Sequence, residues 1–176
     1  MGSLTGKKVF ITGAEQGIGK ETARKLIEAG CDIYIHYFSG EEGPRELIAI
    51  AQQRGAKAAC GYADLTNEAD AARCVAAGAA FLGGIDILVN NVGGIIARKW
   101  LGEIDPQFWR TVIDVNMTTM LNVTQSALPW LKEATDGASI VNLASLAGRS
   151  GGHSGSLVYS MTKGAVLTWT RSLAAE

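Results

Sequence analysis

Short apolar runs alternate along this chain with longer segments whose apolar residues recur every three or four positions. Val9-Phe10-Ile11 and Ile87-Leu88-Val89 are apolar without alternation, the pattern of central strands covered on both faces. Strands are predicted at 8–12, 32–37, 57–62, 85–90 and 139–144. Strands separated by helical patterns make βαβ units, so the fold class read from the pattern is α/β, a doubly wound parallel sheet.

The predicted helices mark their own ends. The first starts near Gly17, carries Ile18, Thr22, Leu26 and Ala23, Ile27 at helical spacing, and stops at Gly30, a residue that accepts a left-handed cap. Pro44 fits the first turn of a second helix with a core face of Leu47, Ile48 and Ala51, ended by Gly55. Asn67 with Asp70 reads as an N-cap and a first-turn acid. Asp105-Pro106 starts a long buried helix whose stripe is Trp109, Val112, Ile113, Met117, Met120 and Leu121, continuing to about Pro129. The last helical pattern, from Tyr159 to Glu176, stops without Gly, Pro or a capping residue. That predicts a longer natural protein or a truncated product.

Composition narrows the classes. With 176 residues the chain has the length of one domain, and 47% hydrophobic with 19% charged residues is a globular composition. A net charge of −1 with evenly spread Lys and Arg offers no face for a polyanion, so no nucleic-acid partner is expected. No apolar run approaches the roughly 18 residues of a membrane span, and the first six residues are too short and polar for a signal peptide. A cytoplasmic protein is the expectation. Cys31, Cys60 and Cys74 are odd in number and widely spaced without His at ligand distances, so neither a disulfide framework nor a metal site is expected. His36 and His153 are isolated and read as structural or surface residues.

The first strand runs into Thr12-Gly13-Ala14-Glu15-Gln16-Gly17-Ile18-Gly19 and then a helix. Glycines there let the backbone turn sharply and let a pyrophosphate approach amides at the positive end of the helix. Asp64 follows the third strand, Asn90-Asn91-Val92-Gly93 the fourth and Ser145 the fifth, with Tyr159-Ser160-Met161-Thr162-Lys163 beyond. These motifs, in this order and over essentially the whole chain, resemble the short-chain dehydrogenase/reductase family.

Two features point to chemistry by themselves. Tyr159 and Lys163 are four apart on a predicted helix and so share a face. A phenol is a poor base at neutrality, and a neighbouring ammonium favours its phenolate, which makes the pair a usable proton carrier. Asn116 falls on the apolar stripe of the long helix, where an amide must find partners. A core asparagine bonded to backbone is one reading, and a site residue the other.

The resemblance implies a Rossmann-type sheet in the order 3-2-1-4-5, with residues 1–176 forming one NAD(P)-binding domain that carries the catalytic positions and lacks the family's last two strands. It implies hydride transfer between a nicotinamide cofactor and a secondary alcohol or ketone. Tyr159 would be general acid/base, Lys163 would tune it and grip the nicotinamide ribose, Ser145 would hold the substrate oxygen, and Asn116 would keep a water linking Lys163 to solvent. Gly13, Glu15, Gln16, Gly17, Ile18 and Gly19 would cradle the pyrophosphate. Asp64 and Leu65 would bracket the adenine, Asn91 and Gly93 would line the adenosine ribose, and Asn90 would brace the sheet. The step from Ser145 to Tyr159 is one residue longer than the family's usual spacing, which implies an insertion within 148–158.

The second strand ends in Tyr37, Phe38 and Ser39, so the acid that marks NAD users is missing there, while no Lys or Arg occurs between Cys31 and Pro44. The reading leans to NADP over NAD, with Tyr37 in the place of the acid and Ser39 as a contact for the ribose phosphate. The family also implies a homodimer or homotetramer, with Trp109, Trp169 and Leu173 as contact or core residues, and a small-molecule substrate bordered by Gly94, Ile95, Ile96 and Leu146. A non-catalytic nucleotide-binding or sensor protein is the alternative.

Overall fold

The computed structural model describes residues 4–176. Five parallel strands form its sheet in the order β3-β2-β1-β4-β5, with β1 at Lys8–Ile11, β2 at Asp32–Tyr37, β3 at Ala58–Tyr62, β4 at Ile87–Asn90 and β5 at Ser139–Asn142. Phe10 pairs with Tyr34 on one side and Leu88 on the other, which sets the register of the middle strands. Alternate residues of these strands then feed two separate cores.

On one face Phe10, Tyr34 and Leu88 pack against α3 (Glu68–Leu82) and α5 (Thr119–Lys132), burying Val75, Ala79, Val123 and Ala127. On the other, Val9, Ile11, Ile33, Ile35 and Val89 meet Ala23, Ile27, Leu47 and Ala51 of α1 (Gly17–Glu28) and α2 (Glu42–Gln53). Apolar residues on both faces of β1 and β4 explain why their sequences do not alternate. The outer strand β3 is only half-buried, and β5 is partly exposed, with Val141 facing out.

Caps set several boundaries. Asp70 donates its amide to Asn67 Oδ1, and Phe108 donates to Asp105 Oδ1 at 2.8 Å, so α3 and α4 (Pro106–Ile113) begin where the sequence predicts. The strands stop earlier than predicted at β1 and β5 and start later at β3 and β4, because the flanking residues already turn into the loops.

The long helix is different from its sequence reading. Between α4 and α5 lies a π-helical segment, Asp114–Thr118, whose wider turn shifts the inward face. The inward positions are Val112, Asn116, Thr119, Met120, Val123 and Ala127, while Ile113, Met117 and Leu121 are half-buried and Trp109 is exposed. The predicted stripe is therefore corrected at four of its six residues. The helix also passes Pro129 and ends at Lys132, since Pro129 sits on its exposed side where the freed carbonyl meets water. A short helix α6 (Ala147–Ser150) and the final α7 (Leu157–Leu173) follow β5. Among the described residues, no helix is long and apolar enough to cross a membrane.

Candidate active site

The strand order reverses between β1 and β4, and in an open α/β sheet that leaves a crevice at the carboxyl ends of the strands. A cavity of about 630 Å³ lies there. Its floor is the turn after β1. Gly13 and Gly17 have φ of 62° and 56°, left-handed values that a side chain would strain. A Cβ on Gly19 would meet the Gly13 carbonyl and the Asn91 side chain, so only glycine lets α1 start this close to β1. Gln16 precedes α1 without a side-chain cap. The first-turn amides thus remain at the positive end of a helix that faces the cavity, which suits a pyrophosphate.

A tight polar frame holds this turn. Thr12 Oγ1 accepts the amides of Asn91 (3.0 Å) and Val92 (3.1 Å). Asn91 returns its Nδ2 hydrogens to the carbonyls of Thr12 and Gly13. The Gly13 amide donates to His36 Nδ1, and His36 Nε2 bonds the Ala63 carbonyl at 3.0 Å. Sequence reasoning misses both Thr12 and His36 as site residues, since neither carries a signal stronger than its place beside a glycine or in a strand.

The far end of the cavity is lined by Asp64, Leu65 and Thr66. Asp64 Oδ1 accepts both the amide (3.0 Å) and the hydroxyl (2.7 Å) of Thr66, so part of its carboxylate shapes the turn into α3. The carbonyls of Leu65 and Thr66 are held by Asn122 Nδ2 from α5, another residue that the sequence does not single out.

Tyr159 and Lys163 line the opposite wall together. Lys163 is 4% exposed, its Nζ lies 6.0 Å from the Tyr159 ring centre, and it donates to the Leu143 carbonyl at 2.6 Å. Burial holds its pKa below the ordinary lysine value. Gly93 separates Lys163 from Asn116: a Cβ there would lie 2.9 Å from Lys163 Nζ and 2.8 Å from Asn116 Oδ1. Asn116, fully within the π segment, accepts the Gly94 amide and donates to the carbonyls of Gly94 and Val112. All three of these bonds go to backbone, and they fix the Gly93-Gly94 wall from behind.

Of the residues singled out by sequence, Gly13, Glu15, Gln16, Ile18, Gly19, Asp64, Leu65, Asn91, Gly93, Tyr159 and Lys163 line one cavity. Ser145 directly follows the lining residue Ala144, and its Oγ accepts the Ala147 amide at 3.2 Å where α6 begins. Gly17, Tyr37 and Ser39 stand outside the lining. The Tyr37 ring packs edge-on against Tyr62, and Ser39 turns its hydroxyl to Glu15. Asn90 donates to Thr124 and Asn142, tying β4 to α5 and β5.

The sequence profile of the family described as short chain dehydrogenase matches residues 7–176. A 3-oxoacyl-acyl-carrier-protein reductase of Aquifex aeolicus is 35% identical over 98% of this chain and 68% of its own length. A tetrahydroxynaphthalene reductase of Pyricularia oryzae is 28% identical over 99% of this chain, which spans only 60% of that protein. Among solved structures, an NADH-dependent reductase A1-R' complexed with NAD superposes with a TM-score of 0.93 at 31% identity, covering 98% of this chain and 73% of the other. A short chain dehydrogenase from Burkholderia cenocepacia in complex with NADP gives a TM-score of 0.91 at 29% identity, covering 99% of this chain and 69% of the other. With the sheet order, the glycine turn and the Tyr159–Lys163 wall already in place, these matches show that the chain belongs to the short-chain dehydrogenase/reductase family.

Proposed function

We propose that this chain forms the cofactor-binding and catalytic part of an oxidoreductase that interconverts a secondary alcohol and a ketone. The observation that carries the reading is the shared wall: a phenol and a buried ammonium group, one helical turn apart, on the same cavity as an uncapped helix start behind a glycine turn. A nicotinamide, when bound, supplies or takes up the hydride at the substrate carbon. The chain's own residues then handle the proton. Tyr159 gives it to the forming alkoxide in reduction and takes it from the alcohol in oxidation. Lys163 holds positive charge beside the phenol and binds the nicotinamide ribose. Ser145, at the rim, donates a hydrogen bond to the substrate oxygen. Asn116 is a positioning residue that keeps Gly94 and the wall around Lys163 in place, and a water beside it would carry the relay to solvent.

Tyr159→Phe in the full-length protein tests this. Turnover should be lost by about 10²-fold or more, with cofactor affinity by calorimetry largely kept. Unchanged turnover overturns the assignment. A wild-type protein that binds nicotinamide nucleotides but turns over no member of a broad carbonyl panel would instead be a binding or sensor protein.

A further inference from the structure

The sequence leans to NADP because β2 ends without an acid, yet the fold brings one there from elsewhere. Glu15, in the turn after β1, reaches across to the end of β2. Its Oε1 accepts the Ser39 hydroxyl at 3.1 Å and the Phe38 amide at 3.4 Å. Its other oxygen, Oε2, is buried and has no hydrogen-bond partner. Glu15 and Phe38 both line the cavity, at the end of β2 where a dinucleotide places its adenosine ribose.

The position is built. Gly43, in the first turn of α2, sits so close to the Glu15 carbonyl that a Cβ would overlap it, which pins the backbone of the turn. Ser39 and Phe38 pin the side chain. Nearby cations are engaged: Lys20 pairs with Glu46 at 2.7 Å and Arg45 with Glu41 at 2.8 Å. A buried carboxylate oxygen without a partner is costly, and because Glu15 lines the cavity, a small turn of its side chain would bring that oxygen to a sugar hydroxyl, which supplies the missing donor. A ribose phosphate supplies only acceptors and further negative charge, which a partly buried carboxylate repels.

We propose that Glu15 is the cofactor-selecting residue, performing from the β1 turn the task of the missing acid on β2, and that the site prefers NAD(H) to NADP(H). This rests on the nicotinamide-dependent function proposed above. Calorimetry of the protein with NAD⁺ and NADP⁺, and with the fragments 5′-AMP and 2′,5′-ADP, tests both ideas separately. Wild-type protein should bind NAD⁺ about tenfold or more tightly than NADP⁺, and 5′-AMP more tightly than 2′,5′-ADP. Glu15→Gln, which keeps the shape and removes the charge, and Glu15→Ser, which also opens space, should each narrow the ratio by about tenfold, mainly through tighter NADP⁺. A wild-type protein that binds NADP⁺ as well as NAD⁺ overturns the inference while leaving the proposed function intact. So does an unmoved ratio in variants whose melting curves match wild type. Binding of neither dinucleotide removes the proposed function and this inference with it. Should one of the two substitutions fail to fold, the other carries the same comparison, and a wild-type ratio without NAD⁺ preference overturns the inference by itself.

Discussion

The Gly13 amide donates to His36 Nδ1 at 3.1 Å, which ties the glycine turn to β2 through a buried imidazole. Because Nδ1 accepts that amide while Nε2 faces the Ala63 carbonyl, the ring is neutral with its proton on Nε2. Burial pushes its pKa below the ordinary histidine value, against smaller upward pulls from the Ala63 carbonyl, Glu15 and Asp64. The unfolded chain therefore binds a proton that the folded one refuses. Stability on this account is fully present above about pH 6.5 and declines as the pH falls toward the lower folded value. Melting temperatures should drop between about pH 7 and pH 5. His36→Gln should melt lower at pH 7 but show a flatter profile across that window. An equally steep profile in the variant would place the effect elsewhere.

Gly93 is wedged between two polar groups of the site. Its φ is 152°, and a Cβ on it would stand under 3 Å from both Asn116 Oδ1 and Lys163 Nζ. Gly93→Ala should therefore strain the backbone and displace the lysine. A loss of ~1–3 kcal/mol in urea unfolding is expected, together with weaker dinucleotide binding. Gly102, which has open space around a Cβ and no left-handed φ, is the control and should change stability by less than about 0.5 kcal/mol as alanine.

These two sites show what the sequence could convey. Periodicity finds β1 to β5 and the caps of α3 and α4 because local chemistry decides them: Asn67 and Asp105 close their own helices. It places Asn116 on the inward stripe of a helix, where it is found, but cannot foresee the π segment beyond which Thr119 and Val123 turn inward while Met117 and Leu121 are only half-buried. Nor can it show Glu15 meeting Ser39, because that contact joins residues 24 positions apart through the packing of α2 on the turn. A strand's final residue is the place where a ribose-binding acid is normally sought, whereas the carboxylate at the end of β2 here comes from Glu15 through tertiary structure.

The packing of α3 on the sheet gives a stability prediction that sequence preference alone would get wrong. Gly78 lies within that helix, and alanine there would gain about 1 kcal/mol of helix propensity. A Cβ would, however, stand 2.6 Å from Phe10 Cδ2 and 3.0 Å from Tyr34 Cδ1. Overpacking of a filled core costs ~1–3 kcal/mol, so Gly78→Ala should be net destabilising in denaturant titration. Combining it with Phe10→Leu should recover part of the loss, a coupling that a double-mutant cycle measures. Additive effects would mean the helix simply moves away.

Ile96 shows strain at the mouth of the cavity. Its φ is 58°, and the Ala97 amide bonds back to the Ile95 carbonyl at 2.6 Å, closing a three-residue turn around it. A β-branched residue is a poor occupant of that region, and holding it there costs ~1–3 kcal/mol. Glycine relieves the strain but adds about 0.5–1 kcal/mol of unfolded-state entropy. Ile96→Gly should therefore stabilise the protein by about 1 kcal/mol, seen as a higher melting temperature. The half-exposed isoleucine also lines the cavity beside Gly94, so its retention makes sense if the side chain shapes the substrate's approach. On the proposed function, the same substitution should then raise KM for a ketone substrate more than it lowers kcat, while leaving NAD⁺ affinity unchanged. A variant that is more stable with unaltered KM would leave the strain without a functional reason.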